Sequence, residues 1–193
     1  LAYDGSFFRN NVTTLVWDNP GRVSDSPTAG PVQGRMALWP NTDMNTVSAS
    51  GGLKLPGHSR ATAYISVGNM SNNAPLLPFT INTALVSPAL DRPTADVTAR
   101  VTAMNYLFTS RPVNTVWFSA RYRQYEMDNR TMPFKVSNSV NYDTAIVALN
   151  QSSEPFSQTR HTFDADATYS PVRHVGFRAG YTREEVDRTY RIV

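Results

Sequence analysis

Along most of this chain the apolar residues recur at every second position. In 115–127, Val116, Phe118, Ala120 and Tyr122 fall on one side and Thr115, Ser119, Arg121 and Arg123 on the other, the two-residue period of a pleated strand. The segment 97–110 alternates Val97, Ala99, Val101 and Ala103 with Thr98, Arg100 and Thr102. Val97, Val101, Met104 and Phe108 would also share one helical face, and the β-branched content decides for a strand. The same alternation sets Val47, Ala49, Leu53 and Leu55 against Thr46, Ser48, Ser50 and Lys54 in 45–55. In 60–70 it sets Ala61, Ala63, Ile65 and Val67 against Thr62, Tyr64 and Ser66. Towards the end, Phe163, Ala165, Ala167 and Tyr169 oppose Thr162, Asp164, Asp166 and Thr168 in 159–170, and Val175, Phe177, Ala179 and Tyr181 mark 174–190. With 1–10 as a first strand, which 12–17 extends, the pattern predicts seven strands.

Between them, short turns (56–59, 111–114, 171–173) alternate with long connections (18–43, 71–96, 128–158). In the last connection the apolar patch 145–149 suits a short helix. If the final turn centres on Val172, Asp166 stands opposite Arg178 and Arg160 opposite Glu184, two pairs of opposite charge that favour this register. Connections beyond about 12–15 residues are uncommon in compact soluble domains, and the strands approach the 9–11 residues that a tilted strand needs to cross a bilayer. A soluble β-sandwich would also give one apolar and one polar face. Strand length and loop asymmetry favour an all-β, antiparallel up-and-down transmembrane barrel with short periplasmic turns and long extracellular loops. The whole chain, 1–193, is then one segment of a single barrel domain. Seven strands alone would leave open edges in lipid, so further strands, or further copies, have to close the wall. On this reading Arg121, Arg123, Asp164, Asp166 and Arg178 line the lumen.

Composition narrows the chemistry. No apolar run reaches the ~18 residues of a transmembrane helix. The chain has no cysteine, which removes disulfides, thiolate metal sites and a covalently attached c-type haem of its own. A net charge of +3 without a Lys/Arg run gives no reason to expect nucleic acid. His58, His161 and His174 match no ligand spacing, and Asp164 with Asp166 reads as structural charge facing Arg178 rather than as an acid/base pair. Neither a nucleophile elbow nor a phosphate-binding loop is present, so the expectation is a chain that is not an enzyme and binds no cofactor or metal. It opens on Leu1 without an initiator Met and ends on Arg191-Ile192-Val193 as if within a strand, which predicts a piece of a longer protein.

An ordered set of segments then carries a resemblance: GRMALWP (34–40), LKLPGHSRATAYISVG (53–68), LPFTINTAL (77–85), LFTSRP (107–112), ARYRQYEMDNRT (120–131) and GYTREEVDRTYR (180–191). Together they resemble the MtrB/PioB family of decahaem-associated outer-membrane β-barrels, over nearly the whole chain. The resemblance implies a large barrel in the outer membrane of a Gram-negative cell, carrying no redox centre of its own. It implies as partners a periplasmic multihaem c-type cytochrome inserted in the lumen, outer-membrane lipid and, on the outer loops, an extracellular multihaem cytochrome. The implied role is a sheath for electron transfer across the membrane. The Cys-containing N-terminal feature of some members is not in this sequence. Read from the residues alone, the polar face fits a water-filled porin or substrate channel equally well, and a soluble β-sandwich binding module remains the third reading.

Overall fold

The computed structural model describes residues 1–22, 31–141 and 145–191. Its strands are β1 (Ala2–Phe8), β2 (Thr14–Asp18), β3 (Gln33–Ala37), β4 (Thr42–Leu55), β5 (Ser59–Asn72), β6 (Val97–Val113), β7 (Val116–Asn129), β8 (Lys135–Asn141), β9 (Ala145–Ser152), β10 (Phe156–Val172) and β11 (Val175–Tyr190). Seven of them form one antiparallel sheet in the order β1-β4-β5-β6-β7-β10-β11. The seven predicted strands are therefore the seven of this sheet. The other four pair separately, β2 with β3 and β8 with β9; β3 lies inside the first long connection, β2 just before it, and β8 and β9 inside the third. Two expectations change here. Residues 12–17 do not extend the first strand but enter β2, and 145–149 is not helical but opens β9, whose Val147 faces Ser139 across the ladder. Hairpin partners were at hand for both segments, and β-branched residues suit a paired ladder better than a helix. The expected strand end at Ile192 and Val193 lies outside the described residues.

The turns are tighter than predicted, and the prolines explain why. β6 runs on through Pro112 and β10 through Pro171, each inside an irregularity of the ladder, between Ser110 and Val113 and between Tyr169 and Val172. A proline has no N–H to give to a ladder and is tolerated where a bulge has broken it. The reversals fall on Asn114-Thr115 and Arg173-His174, with His174 at φ 73°. The β4–β5 reversal uses Gly57 and His58 at φ 71° and 51°, which a glycine adopts without steric cost.

The bulge also moves the last hairpin by two residues. Asp166 pairs with Gly180, Thr168 with Arg178, Thr162 with Glu184 and Arg160 with Val186. The register centred on Val172 is corrected accordingly. Because the slip is even, every side chain keeps its face.

Among the described residues no second layer covers the sheet. Each strand packs against no strand but its ladder neighbours, Ala99 is the one buried hydrophobic residue among those described, and Phe177 and Tyr181 are 62% and 57% exposed. The chain exposes 13573 Å², whereas a soluble domain of its mass would expose roughly 9,000 Å². A sandwich core of the kind the third reading requires is absent from the described residues.

The long connections meet one another at one end of the sheet. The Arg35 guanidinium in β3 donates to the Pro78 carbonyl, and the Arg92 guanidinium lies over the Phe134 ring, 4.8 Å from its centroid. Asp91 accepts from the Ser137 backbone N–H at 2.8 Å and from its hydroxyl. The Ser137 hydroxyl, and after it the backbone N–H, hold the Asp91 carboxyl below its ordinary value of 3.8. A depressed carboxyl stabilises the docked hairpin above that ordinary value, and the contribution is lost as pH falls through the folded-state value. Acidification from neutral to below 3.8 is therefore expected to lower hydrogen-exchange protection of the Ser137 amide. Asp91→Ala, which leaves no acceptor for that amide, should give low protection at every pH, and unchanged protection in that variant would contradict the link.

Candidate functional site

The alternation of the sequence becomes two chemically distinct faces of one sheet. The apolar face carries Val47, Ala49, Leu53 and Leu55 from β4, and Ala61, Ala63, Ile65 and Val67 from β5, which register places side by side. It continues through Met104, Tyr106 and Phe108 of β6 and Phe118, Ala120 and Tyr122 of β7 to Phe163, Ala165 and Ala167 of β10 and Phe177, Ala179 and Tyr181 of β11. In β6 the outcome differs from the expected pattern. Val97, Ala99, Val101 and Ala103 lie on the polar face, because the ladder with β7 puts Met104 beside Gln124 and Tyr106 beside Tyr122. The apolar alternation changes parity within that strand: before Met104 the odd positions are apolar, after it the even ones. Ladder register, which is shared by every neighbouring strand, decides the face.

A hydrogen-bonded row crosses all seven strands through Tyr3, Val47, Val67, Thr102, Glu126, Thr159 and Asp187. All seven point to the apolar face, yet one end of the row is apolar and the other charged. The explanation is tilt. On each strand, the last apolar residue towards the long connections is Val47, Val67, Met104, Tyr122, Phe163 and Tyr181 in sheet order, and these step down from row to row, six residues over the five steps from β4 to β11. The opposite margin steps the same way. The row of Leu55 and Ser59 ends the β4–β5 hairpin, but β7 continues two residues beyond it to Val116, and β11 four residues beyond to Val175. Chemistry and backbone thus give the same shear of about one residue per strand, which at ~3.3 Å rise and ~4.8 Å spacing is a tilt of about 35–40°. That is the inclination of strands in a membrane barrel. Seen along that tilt, the apolar band is level and about 20 Å tall, near the height of a barrel's lipid-facing belt.

Aromatic rings gather at both margins of the band, as interfacial girdles do. At the long-connection margin Tyr106 stacks on Tyr122, with centroids 6.3 Å apart, and Tyr122 on His161 at 6.1 Å. The Tyr122 Oη and His161 Nδ1 are 2.8 Å apart and share a hydrogen bond. Tyr169 and Phe177 are paired at the other margin. Periodicity gave no sign of the Tyr122–His161 pair, because it joins residues 39 apart in sequence; the register across β7 and β10 was the missing information.

The polar face holds all five residues expected there. Asp164 accepts from Arg123 Nη2 at 2.8 Å and from Thr182 Oγ1 at 3.1 Å, and Arg121 is its Cα partner on β7. Asp166 accepts from Arg178 through Nε at 3.1 Å and Nη2 at 2.8 Å. That contact survives the two-residue correction as a diagonal, since the Arg178 side chain leans towards the next pair in the ladder. Both ion pairs sit level with the apolar band on the opposite side of the sheet.

The match to known families agrees with this geometry. The model of the outer membrane beta-barrel porin family MtrB/PioB covers residues 1–192, and the chain belongs to that family. Its place is the bacterial outer membrane. No curated protein matches the chain. Substitutions on β7 follow from the two faces. Phe118→Arg puts a cation into the lipid belt and should cost about 2–4 kcal/mol of folding free energy, while Ser119→Arg, one residue along, should change it by no more than about 0.5 kcal/mol. Urea titration of the intact barrel in lipid vesicles measures both, and equal costs would contradict the assignment of faces.

Proposed function

We propose that this segment is part of an outer-membrane sheath whose lumen holds a periplasmic multihaem c-type cytochrome, the pair carrying electrons across the membrane. The observation that carries the reading is the separation of the two faces. Cations and carboxylates stand on the polar side at the level where the other side is wholly apolar. Such a wall keeps charged partner surfaces wet while excluding them from hydrocarbon. Arg121, Arg123, Asp164, Asp166 and Arg178 are the lumen-facing groups available to hydrogen-bond an inserted protein. The chain itself supplies no redox centre and no catalytic group; haem belongs to the partner. The short turns face the periplasm, and the joined long connections offer the outer surface on which an extracellular multihaem cytochrome docks.

The wall needs more than these strands. β1 and β11 run in the same direction, because six antiparallel pairings separate them. Neither self-closure nor head-to-tail closure between copies would be antiparallel. A fully antiparallel barrel closes on this sheet with an odd number of additional strands, which also gives the even total usual for bacterial barrels.

A second reading, a porin or substrate channel, is favoured by the description of the family. Affinity purification of the intact protein from native outer membranes, followed by haem staining, separates the two. The sheath predicts covalent haem co-purifying with the barrel, and a barrel closed to ions while the partner is in place. Haem-free barrel that conducts ions in planar bilayers would overturn the sheath in favour of the porin.

A further inference from the structure

On the polar face of the main sheet, acids and bases are unevenly placed. The carboxylates on that face are Asp4 on β1, Asp164 and Asp166 on β10 and Glu184 on β11. The polar faces of β4, β5 and β6 carry Lys54 and Arg60 and no Asp or Glu. On β7, β10 and β11 carboxylates and cations share the face, and Arg123 meets Asp164 and Arg178 meets Asp166. On β4, β5 and β6 there is none to meet.

Lys54 and Arg60 are also Cα partners across the β4–β5 ladder, so two cations leave the same face side by side. Like charges in directly opposed positions destabilise a hairpin. Neither side chain has an ion pair or hydrogen bond with another described residue. Beside Arg60 the wall is hollowed. Gly52 leaves its floor open, since a Cβ there would come within 3.3 Å of the Thr62 methyl and 3.9 Å of Arg60 Nη2. Ser50, Arg60, Thr62, Tyr64 and Asn105 surround a polar hollow of about 430 Å³. Three hydroxyls and an amide therefore border Arg60, and Lys54 stands across the ladder as its Cα partner.

We propose that the Lys54–Arg60 pair and this hollow form a seat for an oxyanion group, a carboxylate or a phosphate, on the lumen wall. A guanidinium offers two parallel N–H donors to such a group, and an ammonium beside it adds a point charge. An anion between the two cations turns their repulsion into a shared attraction. The neighbouring hydroxyls and the Asn105 amide satisfy the oxygens that the cations leave free. The oxyanion has two possible sources, an acidic group of a protein held in the lumen or a free anion from the aqueous phase. The inference rests on the polar face being the wet interior of the barrel and does not depend on which protein, if any, occupies it.

The test uses inorganic phosphate as the probe, with the intact barrel in detergent micelles at constant ionic strength and phosphorus NMR line broadening as the readout. The native barrel should show saturable binding. The doubly substituted barrel, Lys54→Gln with Arg60→Gln, should bind about tenfold more weakly or worse. Lys135→Gln, on the separate β8–β9 hairpin, should bind like the native protein. Because the double substitution removes opposed like charges, the barrel should still fold, which its heat-modifiable gel migration reports independently. No saturable binding by the native barrel, or undiminished binding by the folded double variant, would overturn the seat. Repeating the titration on the complex as isolated from membranes identifies the source. Binding that is blocked there and restored once the lumen partner is stripped assigns the seat to that partner's acidic group, and binding unaffected by the partner assigns it to a free anion. A barrel that carries no cytochrome at all would sink the sheath reading while leaving the phosphate result intact.

Discussion

The removal of one face of a single sheet from water holds this architecture together. Tyr3, Leu53, Phe177 and Tyr181 are each more than half exposed when the chain is taken alone, and among the described residues no second layer lies over them. Burying a large apolar side chain stabilises by about 1.5–3 kcal/mol, so a sheet left with this face in water would forgo the main driving force for folding. Hydrocarbon supplies what a core would otherwise supply. It also forbids unpaired backbone groups, a requirement that the unbroken ladder from β1 through β11 meets for every strand inside the sheet.

Tilt reconciles register with chemistry. A row of seven paired residues that begins at Tyr3 and ends at Asp187 makes no sense for a sheet standing upright in a membrane, because one end would drag charge into lipid. Inclined by about 35–40°, the same row runs from inside the belt at one edge to the aqueous side at the other. The stepwise retreat of the apolar margin from Val67 to Tyr181 and the stepwise descent of the three hairpin turns are two records of one shear. On the opposite face that shear brings the charges of β7, β10 and β11 level with the belt, where Arg123–Asp164 and Arg178–Asp166 neutralise one another. Lys54 and Arg60, on β4 and β5, stand where that face carries no carboxylate.

Much of this was legible in the order of residues. Alternation marked all seven strands of the main sheet, since a half-buried strand writes its period directly into the chain. It also placed Arg121, Arg123, Asp164, Asp166 and Arg178 on one face. What it could not carry was pairing. Pro171 reads as a turn residue until the bulge around it is seen, and the misplaced turn shifted the last hairpin by two residues. β6 was ambiguous because its apolar residues change parity at Met104, which only the ladder with β7 resolves. β3, β8 and β9 were hidden in connections rich in Pro, Gly, Ser and Asn, whose composition masks short paired segments, and β2 read as an extension of the first strand. The Lys54–Arg60 juxtaposition, by contrast, was within reach, since symmetry about Gly57 brings those two positions together.

The central claim is that the sheet is a tilted wall with lipid on one side and water on the other. With no cysteine in the chain, nitroxide labels can be placed one at a time along β4, β7 and β11 of the intact barrel in lipid vesicles. Their accessibility to oxygen and to a water-soluble nickel chelate then reads lipid and water directly. The account predicts oxygen maxima at Phe118, Ala120 and Tyr122 alternating with chelate maxima at Ser119, Arg121 and Arg123. It also predicts that the lipid signal ends at Val47 on β4 but already at Tyr181 on β11. Chelate access on both faces of β7, or a lipid boundary lying in the same hydrogen-bonded row on β4 and β11, would contradict it.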